Sequence, residues 1–171
     1  MDNTSQTRIG VVYKINFGKD SAEFPSLEVL VQCLNLEIFY RLVYDESLAY
    51  NANVYQNSYR DDGVIVIEVI CSSDKKDYVI NLINELVPQI IIDEKKFNLG
   101  KSSLVGSVVI NGETIAQKVK VLAENYLFTN SIETNDDYVE KLKSVKIEKV
   151  LGLYQKLITG QKPEVISLDL D

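Results

Sequence analysis

Arg60-Asp61-Asp62-Gly63 separates two β-type stretches: Tyr50 to Tyr59, rich in Asn and Tyr, and the β-branched run Val64 to Cys71. A turn signal of this kind between two β-prone runs specifies a hairpin, and a hairpin commits part of the chain to an antiparallel sheet. Ile9, Val11, Tyr13, Ile15 and Phe17 alternate with their neighbours from Arg8 to Phe17, and Gly18 ends the pattern. That spacing predicts another strand. Glu164 to Leu170, after Gly160 and Pro163, alternates like an edge or closing strand.

The rest of the chain carries helical periodicity. Leu27, Leu30, Val31, Leu34, Ile38 and Leu42 recur at three-to-four spacing behind Asp20, Ser21 and Pro25, residues suited to a helix start. Ser72, Ser73 and Asp74 suit the start of a second helix along Tyr78, Val79, Leu82, Ile83 and Leu86, which Pro88 ends. Asp93 to Val108, Ile115 to Tyr126 from a start near Asn111, Tyr138 to Val145 from Thr134 or Asn135, and Ile147 to Ile158 continue the series. Gly100 and Gly106 fall inside the third helical pattern, at about 1 kcal/mol each relative to Ala. Adjacent strands in a hairpin with helices gathered together predict an α+β fold, a largely antiparallel sheet with helices packed on one face. At 171 residues the expectation is a single domain spanning residues 1–171.

The chain contains 0 histidines. That removes Ser-His-Asp and Cys-His catalysis, any His-containing zinc site, and the usual general base near neutral pH. With 18 basic against 25 acidic residues and a net charge of -7, the chain repels phosphate backbones, so no nucleic-acid partner is expected. Runs such as Val87 to Ile92 are far shorter than the roughly 20 residues that span a bilayer, so no membrane partner is expected either. Cys33 and Cys71 are the only cysteines, and both fall on apolar stripes. Buried thiols in a reducing, cytoplasmic compartment are the expectation.

Candidate constellations mostly have structural readings. Gly100-Lys101-Ser102 resembles the end of a phosphate-binding loop, but Lys95 stands where the first glycine belongs and the segment is helical in pattern. Asp61-Asp62 precedes a turn glycine, and Asp136-Asp137 falls in a helix's first turn, where carboxylates favour the dipole. Tyr40, Tyr44, Tyr50, Tyr55 and Tyr59 crowd one helix-to-strand region. Packing accounts for half-buried tyrosines, and a peptide-binding wall would also use them.

The stretch Ile38-Phe39-Tyr40-Arg41-Leu42-Val43-Tyr44-Asp45-Glu46-Ser47-Leu48-Ala49-Tyr50 resembles a pattern of the pitrilysin, insulin-degrading-enzyme and mitochondrial-processing-peptidase family. There a helix ends in leucine, phenylalanine, two variable residues, leucine, arginine, three variable residues, glycine, leucine, alanine or glycine, and tyrosine. The Asp62-Gly63 hairpin, the helix start at Asp93-Glu94-Lys95-Lys96-Phe97 and the closing strand from Pro163 to Leu168 extend the similarity over nearly the whole chain.

The resemblance implies two related halves closing around an unfolded peptide, with zinc held by His-x-x-Glu-His in one half only. A chain without histidine corresponds to the other, metal-free half, which supplies chamber wall and an Arg and Tyr that hold the substrate backbone. The Tyr maps onto Tyr50. The Arg maps onto Val43, and Arg41, two residues away, lies about 200° around a helix from that position.

The expected function is therefore the non-catalytic half of such a zinc metallopeptidase, enclosing and orienting peptide substrates. It would hold peptide through Tyr50 and, weakly, Arg41, with no catalytic residue and no metal of its own. Zinc is expected only in a zinc-bearing half or homologous subunit acting as partner. The alternative is a pseudo-peptidase that binds or scaffolds a partner without proteolysis.

Overall fold

Four strands follow from the β-type segments: β1 (Gln6–Ile15), β2 (Ala49–Ser58), β3 (Gly63–Ser72) and β4 (Glu164–Leu170). They belong to a computed structural model that describes residues 5–111, 114–130 and 132–170. All neighbours pair antiparallel, in the order β2-β3-β1-β4, so β2 and β4 are the edges. The hairpin closes where Tyr59 N–H donates to Asp62 C=O at 2.8 Å. Gly18 passes so close to its tip that an added Cβ would lie 1.5 Å from the Arg60 carbonyl oxygen. Only glycine allows that approach.

Six α-helices complete the described chain: α1 (Phe24–Phe39), α2 (Lys76–Leu86), α3 (Glu94–Asn111), α4 (Ile115–Thr129), α5 (Asn135–Ser144) and α6 (Ile147–Tyr154). Ile9, Val11, Tyr13 and Ile15 of β1 and Ile65, Ile67, Val69 and Cys71 of β3 are buried on the helical side, in one core cluster with Leu27, Leu30, Leu34, Val79, Ile83, Val150 and Leu157. This is the α+β arrangement expected from the periodicities.

Several details differ from the sequence expectation. The α1 pattern that reads through Leu42 changes after Phe39 into a π-helical turn, Tyr40–Asp45, and α6 likewise passes into the π turn Gln155–Thr159. Ser21 does not cap α1; Glu23 occupies that position without a side-chain cap, and Ser21 Oγ accepts from Glu23 N–H at 3.2 Å. A 3-10 turn, Ser73–Lys75, precedes α2. Asn111 closes α3 rather than opening the next helix, which Thr114 caps through a reciprocal pair with Gln117.

Gly100 and Gly106 separate in role. A Cβ on Gly100 would stand 2.5 Å from Cys33 Sγ, so the glycine sets the close crossing of α3 on α1, whereas a Cβ on Gly106 meets nothing within 4 Å. Lys101 donates to the carbonyls of Lys143 and Val145 at the end of α5 and lies 4.5 Å over the Phe97 ring. The Gly-Lys-Ser triplet is thus a packing device. Asp137, likewise, accepts from Thr134 in the capping box of α5, and this hydrogen bonding holds its carboxyl below the ordinary range.

Candidate functional site

The helix-to-strand corner positions the first candidate residues. In the π turn Glu46 N–H donates to Arg41 C=O at 3.0 Å, the i to i+5 spacing that defines such a turn. Leu42 is fully buried and Val43 packs against the core, which turns Arg41 outward. Ser47 adopts a positive φ of 47°, reversing the chain, and Leu48 N–H donates to Leu42 C=O at 2.9 Å to lock the corner. β2 then begins with a register shift between Ala49 and Asn51. Tyr50 is the extra residue, and bulges commonly re-aim a side chain in this way. Its ring is 58% exposed.

Arg41 and Tyr50 are placed apart in function. The Arg41 guanidinium lies 3.4 Å from Asp45 and 2.9 Å from Glu46, so two neighbouring carboxylates already neutralise it. It opens with Tyr40, Glu37, Ile90 and Lys96 onto a groove of about 470 Å³ that Tyr50 does not line. Tyr44 stacks on Tyr40 at 6.0 Å and meets Phe39 edge-on at 5.6 Å. Val43, at the position expected to carry the family's Arg, is committed to the core.

The second feature escapes the strand-by-strand reading. β3 runs Gly-Val-Ile-Val-Ile-Glu-Val-Ile-Cys-Ser, apolar on both faces, a composition of strands covered on two sides. Its helical face is covered; Val64, Val66, Glu68 and Ile70 on the other face remain partly exposed. The pairing register aligns rows across this open face: Tyr55, Val66, Val12 and Glu164; Asn53, Glu68, Gly10 and Ile166; Asn51, Ile70, Arg8 and Leu168. Gly10, without a side chain, leaves a depression at the centre. Ile166 and Leu168 are 64% and 63% exposed. Tyr55 Oη donates to Glu68 at 3.4 Å, and its hydroxyl is held protonated to higher pH, first by desolvation and then by the Glu68 charge. The sequence signal was the unbroken apolar run in β3, which alternation alone does not explain.

The edge beside this face is partly taken: Asn35 Oδ1 of α1 accepts from the Val54 N–H of β2 at 2.7 Å.

The described residues do not fit a zinc ion. With 0 histidines the donors left are carboxylates and two thiols, and among the described residues no three are grouped to hold a metal. Cys33 is pushed up to about 11 by burial and by the Glu37 charge, and burial also raises Cys71. Both thiols are buried and protonated at neutral pH.

The architecture and the chain itself match known proteins. The family described as the peptidase M16 inactive domain matches over residues 1–104. This chain belongs to that family. An uncharacterized zinc protease, YmxG of Bacillus subtilis, is 25% identical over 134 residues, covering 77% of this chain and 33% of the relative. The peptidase M16 inactive domain from Pseudomonas fluorescens superposes with a TM-score of 0.81 at 15% identity, over 95% of this chain and 40% of that one. A chain of Complex III2 from Candida albicans superposes with a TM-score of 0.79 at 14% identity, over 98% and 43%. The M16 domain described here thus spans about a third of the length of the curated relative, and less than half of these solved chains. Among the described residues no helix is long and apolar enough to cross a membrane.

Proposed function

We propose that residues 1–171 act as one metal-free wall of an M16 peptidase chamber, with the open sheet face turned toward an extended peptide that a zinc-bearing half cleaves. The observation that carries this reading is the row structure of that face, where Ile70, Val66, Val12, Ile166 and Leu168 surround the Gly10 depression while helices cover only the other side. Extended peptide lies naturally across or beside strands, and Tyr50 at the β2 bulge offers a hydroxyl to its carbonyls. Zinc belongs to the partner half in this account, and this chain's residues bind and orient. Two buried free thiols suit a reducing, cytoplasmic setting.

Titrating an unstructured, apolar-rich peptide into the chain while recording amide shifts tests the reading. Shifts should map to the open face and the start of β2, and Tyr50→Phe should weaken binding about five- to tenfold, the loss of one hydrogen bond. Shifts confined to the helical side, or an unaltered affinity for Tyr50→Phe, would remove the site.

A scaffold role without proteolysis is the second reading, and Val43 favours it: the clamp Arg is replaced by a core residue, and Arg41 is neutralised by Asp45 and Glu46. The Candida chain, of the same fold, belongs to a Complex III2 assembly. Peptide binding without any stimulation of a zinc half would favour this reading.

A further inference from the structure

The open face of the sheet changes character at β2. Alternation there buries Ala52, Val54 and Ser58 on the helical side and leaves Asn51, Asn53, Tyr55 and Asn57 exposed on the other. The same face of β1, β3 and β4 carries Val12, Val64, Val66, Ile70, Ile166 and Leu168. An apolar floor is thus bordered on one side by a line of carboxamides.

Asparagine is depleted in strands, since it packs poorly on a pleated surface and favours turns. Three asparagines on one face of a 10-residue strand therefore work against its formation. The fold gains nothing from them in return: the Asn51, Asn53 and Asn57 side chains make no hydrogen bond among the described residues. Tyr55, between them, instead donates to Glu68 at 3.4 Å. Residues that break a local rule without a structural return concentrate where a chain binds something.

The spacing indicates what these amides suit. Alternate residues of a strand stand roughly 6.8 Å apart. An extended peptide lying along the β3–β1 floor turns main-chain N–H and C=O groups sideways toward β2 at the same two-residue repeat. A carboxamide donates and accepts, so each Asn can meet either group. The alternate side chains of such a peptide point down onto Val66, Ile70 and Val12, and Gly10 leaves room for a large one. Charge on the face is balanced, with Arg8 and Lys14 against Glu68 and Glu164, so it favours neither a cationic nor an anionic peptide.

We propose, on the reading of the open face as the peptide surface, that Asn51, Asn53 and Asn57 hold the main chain of an extended, uncharged peptide whose every second side chain is apolar and seats on the floor beside Gly10. The asparagines are positioning residues: they fix the peptide's direction and register, and the floor selects its alternating pattern.

Fluorescence anisotropy of the 171-residue chain with two labelled peptides of identical uncharged composition tests this. One peptide alternates apolar and polar residues, and the other gathers its apolar residues into one block. The alternating peptide should bind about fivefold tighter or more. Asn51→Ala/Asn53→Ala should weaken it about tenfold, the loss of two hydrogen bonds, while Asn81→Ala/Asn84→Ala on α2 should leave it unchanged. N-methylating one of the two alternate sets of peptide amides should weaken binding to the unaltered chain about tenfold, with little further loss in Asn51→Ala/Asn53→Ala. A merely structural role for the asparagines would not produce that coupling. Equal affinity for the two peptides, or a loss in the β2 variant no larger than in the α2 variant, would overturn the assignment, while amide shifts on the open face would leave the peptide surface itself standing. Binding of neither peptide would overturn both. Circular dichroism of each variant separates loss of contacts from loss of the fold.

Discussion

Two glycines in the same helix show how position decides the sign of a substitution. Gly100→Ala drives a methyl into Cys33 and should destabilise the chain by about 1–3 kcal/mol, the usual cost of overpacking. Gly106→Ala meets open space and should stabilise by up to about 1 kcal/mol through helix propensity. Urea midpoints of the two variants should therefore move in opposite directions. Glu28 offers a second test. It is half-buried, accepting from Tyr138 and from Gln56 at 3.5 Å, and desolvation raises its pKa above the ordinary carboxylate value of 4.5 despite those donors. The folded chain thus holds this proton to higher pH than the unfolded chain. Its contribution is fully present below the ordinary carboxylate value and is lost as pH rises through the raised one. Wild-type stability should carry a downward slope across that window, measured by denaturation at successive pH values, and Glu28→Gln should remove it. A parallel slope in both proteins would exclude Glu28 as its source.

Among the elements, α4 stands apart, since none of its described residues joins the core cluster that the other helices share. Its stability is local and rests on the Thr114 and Gln117 capping box. Thr114→Ala should weaken α4 by about 1 kcal/mol. Hydrogen exchange should quicken across Ile115–Thr129 while the global unfolding midpoint stays fixed; a shifted midpoint would tie α4 to the core. The elements were legible in the sequence where periodicity was strong: the hairpin, α1, and the closing strand follow from spacing and turn residues. The π turn at Tyr40–Asp45 was not, because the spacing from Ile38 to Leu42 fits an α-helix equally well and only the corner with β2 selects the wider turn. The bulge that turns Tyr50 outward also depends on pairing with β3, a partner no local pattern specifies. The open face was legible only in outline, because the apolar run of β3 signals two covered sides without saying what covers the second.

At the scale of the whole molecule, chemistry and architecture divide. A chain without histidine builds no His-containing zinc site, and among its described residues no three His, Cys, Asp or Glu side chains are grouped to hold a metal. What it offers is surface: helices fill one side of the sheet, and the other side is left with rows of apolar residues that exceed what an isolated sheet needs. Burying Ile166 and Leu168 alone is worth about 1.5–3 kcal/mol each, so a peptide or a facing half gains by covering them. The central claim is that this M16 inactive domain works by presenting peptide to a zinc-bearing half. Combining it with a zinc-bearing M16 half from the same organism and following cleavage of a quenched fluorescent peptide tests this most directly. Cleavage by the zinc half should rise at least tenfold when this chain is added and fall back with Tyr50→Phe. Cleavage at the same rate with and without this chain would contradict it.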